Sequence, residues 1–149
     1  MTATENKKLT IQREFDAPID LVWRALTETD LLKQWAPFLG EFKAIVGYET
    51  RFLLGPDEAH QYLHICRVTD VVENERLTYT WSYEKIEGDS HVTFGLIPKG
   101  EKTDLVFTHE FVKPFPQDDP NFALGSFEQG WTYILGELQK FVEGGGTHS

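Results

Sequence analysis

Cysteine is almost absent from this chain: Cys66 is the only one among 149 residues. A lone cysteine excludes an intramolecular disulfide and fits a reducing compartment. No run approaches the ~20 apolar residues that a membrane-spanning helix needs. Residues 1–8 are polar and lack the apolar core of a signal peptide. We therefore expect a soluble, cytoplasmic protein that does not bind membranes.

Basic residues are also scarce. The chain has 14 Lys and Arg against 24 Asp and Glu, so its formal net charge is −10. Proteins that bind nucleic acids neutralise phosphates with a basic surface, and here Lys7-Lys8 is the only adjacent basic pair. The composition therefore argues against DNA, RNA and anionic membranes as partners.

The motifs of metal sites and of nucleophilic enzymes are missing as well. The sequence has no CxxC, HExxH or GxSxG pattern. His60 and His64 lie in a strand pattern, which separates them by roughly 13 Å. We expect no metal, no cofactor and no catalytic nucleophile. His64 or His109 could act as a polar anchor or proton carrier in a cavity, or each could be a core histidine bonded to a neighbour.

What the chain does have is the pattern of one long C-terminal helix. Apolar residues recur there at steps of three and four and so share one face: Phe127, Trp131, Ile134, Leu138 and Phe141. Asp118-Asp119-Pro120 is typical of a helix start, and Gly144-Gly145-Gly146 of a helix end. We predict a helix from this aspartate pair to about Val142. Gly125, Gly130 and Gly136 within it suggest close approach of the backbone to the sheet or to a ligand.

The rest of the chain reads mostly as strands. A strand from Leu9 to Phe15 is followed by two short helices, the first opened by Asp16-Ala17-Pro18 and the second capped by Thr29 or Asp30. A period of two then predicts strands at Phe42–Val46, Glu49–Leu54, Gln61–Val72, Arg76–Tyr83, His91–Ile97 and Asp104–Val112.

Short turns such as Gly55-Pro56-Asp57 imply that these strands form an antiparallel meander. A sheet of about seven strands is large enough to curl around the long helix, which gives an α+β fold. We expect a single domain over residues 1–149, with an ordered core of about 8–143 and a flexible glycine-rich tail.

Three segments resemble one known family. They are Arg13–Pro18 with Val22–Thr27, Val71–Leu77 leading to Thr80-Trp81, and Gly130-Trp131 with Ile134-Leu135 and Leu138. Together with the order of elements, they resemble the START-like helix-grip fold of the SRPBCC superfamily. Within it the chain is similar to stand-alone bacterial relatives of the C-terminal domain of the heat-shock protein 90 ATPase activator. The resemblance implies a deep cavity between sheet and helix, and a chaperone as one partner class.

Aromatic residues are abundant, with 11 Phe, 5 Tyr and 4 Trp. We expect the cavity to be lined by Trp35, Phe38, Phe52, Tyr62, Trp81, Tyr83, Phe94, Phe111, Phe127 and Trp131, with Arg13, His64 and His109 as polar members; Tyr48 is a further aromatic residue that could face the interior. The alternative is that the rings only fill the core. Arg13 falls on the apolar side of its strand. It would bind an anion, form a structural ion pair with a carboxylate such as Glu110 or Glu128, or lie at the sheet edge.

The leading hypothesis is non-catalytic binding of an apolar or amphipathic small molecule. A protein-interaction module that binds a chaperone is the second hypothesis. An enzyme of the cyclase or hydratase type, with His64, His109 or a tyrosine transferring protons, is the third. We expect a monomer or a weak homodimer.

Overall fold

The computed structural model describes residues 8–37, 42–57, 60–113, 115–116 and 124–145. In chain order the elements are β1 (Lys8–Phe15), α1 (Ile19–Thr27), α2 (Thr29–Trp35), β2 (Glu49–Asp57), β3 (His60–Val72), β4 (Arg76–Tyr83), β5 (Asp89–Lys99), β6 (Lys102–Lys113) and α3 (Leu124–Glu143). The predicted α+β fold class is confirmed.

The described strands form one curved antiparallel sheet in the order β1-β6-β5-β4-β3-β2. Strands β2 to β6 follow one another as a meander, because their connections are short. The loop between β3 and β4 turns at Asn74, whose φ is 59°. Strand β1 pairs with β6 at the opposite edge, with Leu9 opposite His109 and Arg13 opposite Leu105. The chain therefore crosses from β1 to the far edge of the sheet through the two short helices.

The core lies between the inner face of the sheet and α3. The alternation in β4 and β6 assigns the inner face correctly, since every second side chain is buried: Leu77, Tyr79, Trp81 and Tyr83 in β4, and Leu105, Phe107, His109 and Phe111 in β6. Helix α3 buries a stripe of apolar residues against them: Phe127, Trp131, Leu135, Leu138 and Phe141. Each large apolar side chain that leaves water contributes about 1.5–3 kcal/mol, so this seam stabilises the fold.

The two short helices close one end of the sheet. Helix α1 buries Val22, Trp23 and Leu26, as its pattern predicts. The indole Nε1 of Trp35 donates a hydrogen bond to the carbonyl oxygen of Ala25 at 2.8 Å, which ties α2 to α1. The predicted cap of α2 is wrong, because Glu28 occupies the N-cap position and makes no side-chain cap bond.

The predicted strand Phe42–Val46 is also wrong, because these residues are irregular. The hydroxyl of Thr29 donates to the carbonyl oxygen of Phe42 at 2.5 Å and accepts from its amide at 3.4 Å. A side chain thus uses the backbone groups that a strand ladder would need. The next residues turn at Gly47, which has a φ of 95°. The described sheet has six strands for this reason.

The predicted turn Gly55-Pro56-Asp57 does not end β2. The strand continues to Asp57, with an irregular register between Leu54 and Asp57 where β2 pairs with β3. An irregularity of this kind lets a strand absorb residues that would otherwise interrupt it.

Helix α3 ends where the glycine run predicts. Its last residue is Glu143, and the amide of Gly144 then donates to the carbonyl oxygen of Lys140 at 3.1 Å. The predicted start at Asp118-Asp119-Pro120 lies outside the described residues. Among the helices that are described, none combines the length and the apolar character needed to cross a membrane.

Gly88 gives a test of the packing beneath the β4–β5 connection. Its φ is 123°, and a Cβ at this position would lie 2.2 Å from Cδ1 of Phe115. We expect Gly88→Ala to lower the free energy of unfolding by about 2–3 kcal/mol, since it adds backbone strain and displaces a buried ring. Urea denaturation measures this change.

Gly100→Ala is the matched control, because Gly100 has a φ of 64° but a Cβ added to it would meet no atom within 4 Å. It should cost only about 1–2 kcal/mol, the strain of a left-handed residue. Equal losses from both substitutions would contradict the packing described for Phe115.

Candidate functional site

A cavity of about 720 Å³ lies between the first half of α3 and strands β2, β3 and β4. Its lining is Leu54, Gly55, Tyr62, His64, Trp81, Tyr83, Ser126, Phe127, Gln129, Gly130, Trp131, Tyr133 and Ile134. Ligand sites in proteins commonly enclose about 300–1,000 Å³ and are lined mainly by apolar and aromatic side chains. The size and composition of this cavity fall within that range.

Five of the six Phe, Tyr and Trp residues in the lining are buried or half-buried, and we call them the aromatic wall: Tyr62, Trp81, Tyr83, Phe127 and Trp131. Trp81 and Tyr83 face inward because they are alternate residues of β4. The ring centroids of Trp81 and Trp131 are 4.8 Å apart, which brings the sheet and α3 into direct contact at the base of the wall. The indole Nε1 of Trp81 donates to the hydroxyl oxygen of Tyr83 at 2.9 Å.

His64 is held among aromatic rings. It stacks on Phe52 with a centroid distance of 4.8 Å, and it contacts Trp81 and Tyr83 edge to face at 5.0 and 4.6 Å. Its Nδ1 lies 2.9 Å from the carbonyl oxygen of Tyr62. Burial lowers the pKa of His64 to about 4, against the effect of hydrogen bonds to the carbonyls of Tyr62 and Phe52. The imidazole is therefore neutral near pH 7.

His109 lies behind the wall in a buried chain of hydrogen bonds. Nε1 of Trp131 donates to Nδ1 of His109 at 3.0 Å. Nε2 of His109 lies 2.8 Å from Oγ of Ser90, and this hydroxyl donates to the carbonyl oxygen of Trp81 at 2.6 Å. Because Nδ1 accepts, the proton of the neutral ring sits on Nε2 and is donated to Ser90.

Burial, with a smaller contribution from His91, lowers the pKa of His109 to about 3. A protonated ring would lose the acceptor that Trp131 requires. Both ring nitrogens are engaged by the protein, so His109 has no nitrogen left for a proton transfer to a ligand. Its position corresponds to the core histidine alternative.

The helix side of the cavity depends on residues with small or half-buried side chains. A Cβ added to Gly130 would meet no atom within 4 Å. Ile134, one turn further, is only half-buried, while Leu135 and Leu138 are fully buried against the sheet. The open space beside Gly130 excludes the expected close approach of this glycine to the sheet.

The structure places the predicted site residues in three groups. Six line the cavity: Tyr62, His64, Trp81, Tyr83, Phe127 and Trp131. Four others are buried around these residues and support them by ring contacts or hydrogen bonds: Phe52, Phe94, His109 and Phe111. Trp35 is buried in α2, where its indole bonds to α1, and it is not part of the lining. Phe38 lies outside the described residues.

Arg13 does not line this cavity. It lies on edge strand β1 and reaches α3, where Nη1 donates to Oε1 of Gln139 at 3.1 Å and Nη2 donates to the carbonyl oxygen of Thr132 at 3.4 Å. These bonds do not include the expected Glu110 or Glu128, whereas the position on β1 agrees with the alternative of an arginine at the sheet edge. A half-buried arginine can use neutral oxygen acceptors when they converge at a helix surface.

Seven lining residues were not predicted as site residues: Leu54, Gly55, Ser126, Gln129, Gly130, Tyr133 and Ile134. Five of them lie at the exposed or half-exposed side of α3, where a sequence pattern does not distinguish a cavity rim from ordinary solvent. Gly130 could have been identified from the sequence. A glycine within a helix costs about 1 kcal/mol relative to alanine, and that cost suggests a role for the position.

Three other titratable groups near the cavity have pKa values that burial shifts. Burial raises the pKa of the Cys66 thiol and of the Tyr79 and Tyr83 hydroxyls. These groups therefore stay protonated and are poor nucleophiles or bases at neutral pH. In the part of the chain that the structure describes, no three His, Cys, Asp or Glu side chains are grouped to hold a metal ion.

The chain matches the model of a known family over most of its length. The model of the family described as "Activator of Hsp90 ATPase homolog 1-like protein" matches residues 16–143. This confirms the resemblance found in the sequence, including the helix-grip superfamily. A search of curated proteins gives no match.

Solved structures of bacterial proteins share the fold. Protein CV1439 from Chromobacterium violaceum is 24% identical, with a TM-score of 0.75 over 91% of this chain and 96% of that chain. Protein MLL2253 from Mesorhizobium loti is 26% identical, with a TM-score of 0.74 over 92% and 97%. DynU16, a protein in the dynemicin biosynthetic locus, is 23% identical, with a TM-score of 0.72 over 93% of this chain and 48% of its own.

The buried histidines predict a loss of stability in acid. The unfolded chain binds a proton at each histidine below pH 6.5, whereas the folded protein does so only near pH 4 at His64 and pH 3 at His109. The contribution of these neutral histidines to the free energy of unfolding is therefore fully present above pH 6.5, and it is lost as the pH falls below that value. At pH 5 we expect each histidine to lower the free energy of unfolding by about 2 kcal/mol relative to pH 7.5.

Urea denaturation of the wild type and of His64→Phe at both pH values isolates this effect, since carboxylates contribute equally to the two proteins. The variant should lose about 2 kcal/mol less than the wild type between pH 7.5 and pH 5. The same loss in both proteins would show that His64 is not held neutral by burial.

Proposed function

This chain belongs to the family of Activator of Hsp90 ATPase homolog 1-like proteins, and we propose that it binds an apolar or amphipathic small molecule in the cavity beside α3. The observation that carries the proposal is the cavity of about 720 Å³ with its aromatic wall. The cavity is partly open to solvent, so a ligand can enter it, and apolar and aromatic side chains of this kind are what ligand sites commonly use.

Binding without catalysis fits the chemistry of the lining. His64 is the one lining residue with a pKa shifted toward acid, and burial holds it neutral. The wall offers ring faces and the methyl groups of Leu54 and Ile134, which contribute to affinity through burial of apolar surface. Ser126, Gln129 and Tyr133 on α3 add neutral polar groups that would orient a ligand.

Gly130 provides the sharpest test of the site. A leucine at this position extends into open space on the cavity side of α3. We expect Gly130→Leu to weaken the binding of an apolar probe such as 1-octanol at least about tenfold, a loss of about 1.4 kcal/mol. The fluorescence of Trp81 and Trp131 reports the titration, because both indoles line the cavity.

Gly125→Leu is the matched control. Gly125 is exposed on the same helix, a Cβ there also meets no atom within 4 Å, and it does not line the cavity. Both leucines should raise helix stability by a similar amount, up to about 1 kcal/mol. The control variant should keep wild-type affinity. Equal affinities for the two variants would place the probe elsewhere and remove the basis of the proposal.

Family membership favours a second candidate, a protein-interaction module that acts on a chaperone. The family is described by activation of the Hsp90 ATPase. Ile45 and Val46 are 60% and 62% exposed in the loop before β2, and two adjacent exposed apolar residues are suited to a protein contact.

A chaperone assay tests this candidate. If the protein is an activator, adding it to the heat-shock protein 90 of the same cell should raise the ATPase rate at least about twofold, a change of about 0.4 kcal/mol in the barrier. The double variant Ile45→Ser/Val46→Ser should lose the effect, and Ile97→Ser, another exposed apolar position, should keep it. An unchanged ATPase rate with the wild type would exclude this candidate.

A further inference from the structure

We propose that the ligand of this cavity is a cationic amphiphile, in which a quaternary ammonium group lies against the aromatic wall and an apolar chain fills the space beside Gly130. The inference rests on the proposed binding function and specifies the class of ligand. Three observations carry it. The described lining contains no charged residue, the indole N–H groups of the wall are already hydrogen-bonded within the protein, and the net charge of the protein is negative.

The first observation concerns charge within the site. None of the described residues that line the cavity is Lys, Arg, Asp or Glu. Arg13 bonds to α3 away from the lining. His64 is neutral near pH 7, because burial lowers its pKa to about 4. A carboxylate or phosphate on the ligand would therefore find no cation to offset its desolvation.

The second observation concerns the wall itself. The indole N–H of Trp81 is donated to Tyr83, and the indole N–H of Trp131 is donated to His109. Both indole N–H groups already have acceptors within the protein, so they are not available to an anionic or acceptor-rich ligand. With both N–H groups engaged, the carbon atoms of the two rings are what remain to line the cavity. The face of an aromatic ring carries negative electrostatic potential, which attracts a cation within about 6 Å of the centroid.

The third observation is the net charge of −10. The field of an acidic protein raises the local concentration of cations and lowers that of anions. A quaternary ammonium group also has no N–H donor that burial would leave unsatisfied, and it is a recognised ligand of aromatic sites. An aromatic wall without fixed charges thus favours such a group over a carboxylate of equal size.

A matched set of probes tests the inference: octyltrimethylammonium, 1-octanol and octanoate, each titrated into the full-length wild-type protein by calorimetry. We expect the cation to bind about 3- to 30-fold more tightly than the alcohol, and octanoate to bind more weakly than the alcohol. Equal or tighter binding of the alcohol overturns the cation preference while leaving the binding function in place. No binding of any probe contradicts the binding function itself.

Binding measured at high salt distinguishes two sources of the preference for a cation, which are contact with the aromatic wall and the negative net charge of the protein. At 0.5 M NaCl the Debye length is only about 4 Å, so the attraction of distant carboxylates is screened. A preference that arises from contact with π faces should persist there. Loss of the preference at this ionic strength would attribute it to surface charge and overturn the role of the wall.

Tyr62 supplies the variants, because it lines the cavity and is only half-buried. Tyr62→Leu removes a ring face and should lower the ratio of cation to alcohol affinity at least about threefold, whereas Tyr62→Phe keeps the ring and should preserve it. Tyr48→Leu, at a half-buried tyrosine outside the lining, is the control and should keep the wild-type ratio. A ratio unchanged by Tyr62→Leu would contradict the contact, and the wild-type probe series decides the question if that variant does not fold.

Discussion

The hydrogen-bond chain that runs from α3 into the sheet determines the shape of the interior. Trp131 donates to His109, His109 donates to Ser90, and Ser90 donates to the carbonyl oxygen of Trp81. Each group in this series of hydrogen bonds has the partner that its chemistry requires. The series links α3 to β6, β5 and β4 in turn. Among the described residues, no buried side-chain nitrogen or oxygen lacks a partner. An unpaired buried polar group costs about 1–3 kcal/mol, so moving Trp131 away from His109 would be unfavourable. These hydrogen bonds therefore fix the position of Trp131.

The fixed position of Trp131 explains why space remains on one side of the helix. Trp131 packs on Phe107 at a centroid distance of 4.4 Å and on Trp81 at 4.8 Å, so the centre of the seam is closed. Toward β2 and β3, α3 presents Gly130, Ser126 and the half-buried Ile134. These residues are too small or too far from the sheet to fill the volume. The cavity is thus a consequence of where the helix is held and of which residues face β3.

Much of the fold follows from the sequence, because strands with one buried face impose a period of two. Trp81 and Tyr83 were assigned to the inner face for this reason, and both line the cavity. The spacing of Phe127 and Trp131 likewise predicts which face of the C-terminal helix packs on the sheet. Hydrogen bonds between residues that are far apart in sequence could not be predicted from the pattern. Thr29 bonds to the backbone of Phe42 and thereby prevents the strand predicted there.

The polar residues that the sequence predicted for the site show the same limit. His109 and Arg13 both carry signals of a buried polar group, but periodicity does not identify their partners. His109 is bonded to Trp131 and Ser90, and Arg13 is bonded to Gln139 and Thr132. These partners are between 19 and 126 positions away in sequence. Pairing over such distances depends on tertiary packing, and no local pattern encodes it.

The most direct measurement of the central claim is an NMR experiment on protein with labelled methyl groups in the presence of 1-octanol. Intermolecular nuclear Overhauser effects between the alkyl chain and the methyl groups of Leu54 and Ile134 would place the probe inside the cavity, and this is the result we expect. Ile97 and Val112 are about half-exposed and lie outside the lining, so they serve as references. Effects confined to these two residues, or none at all, would contradict the presence of an accessible interior site.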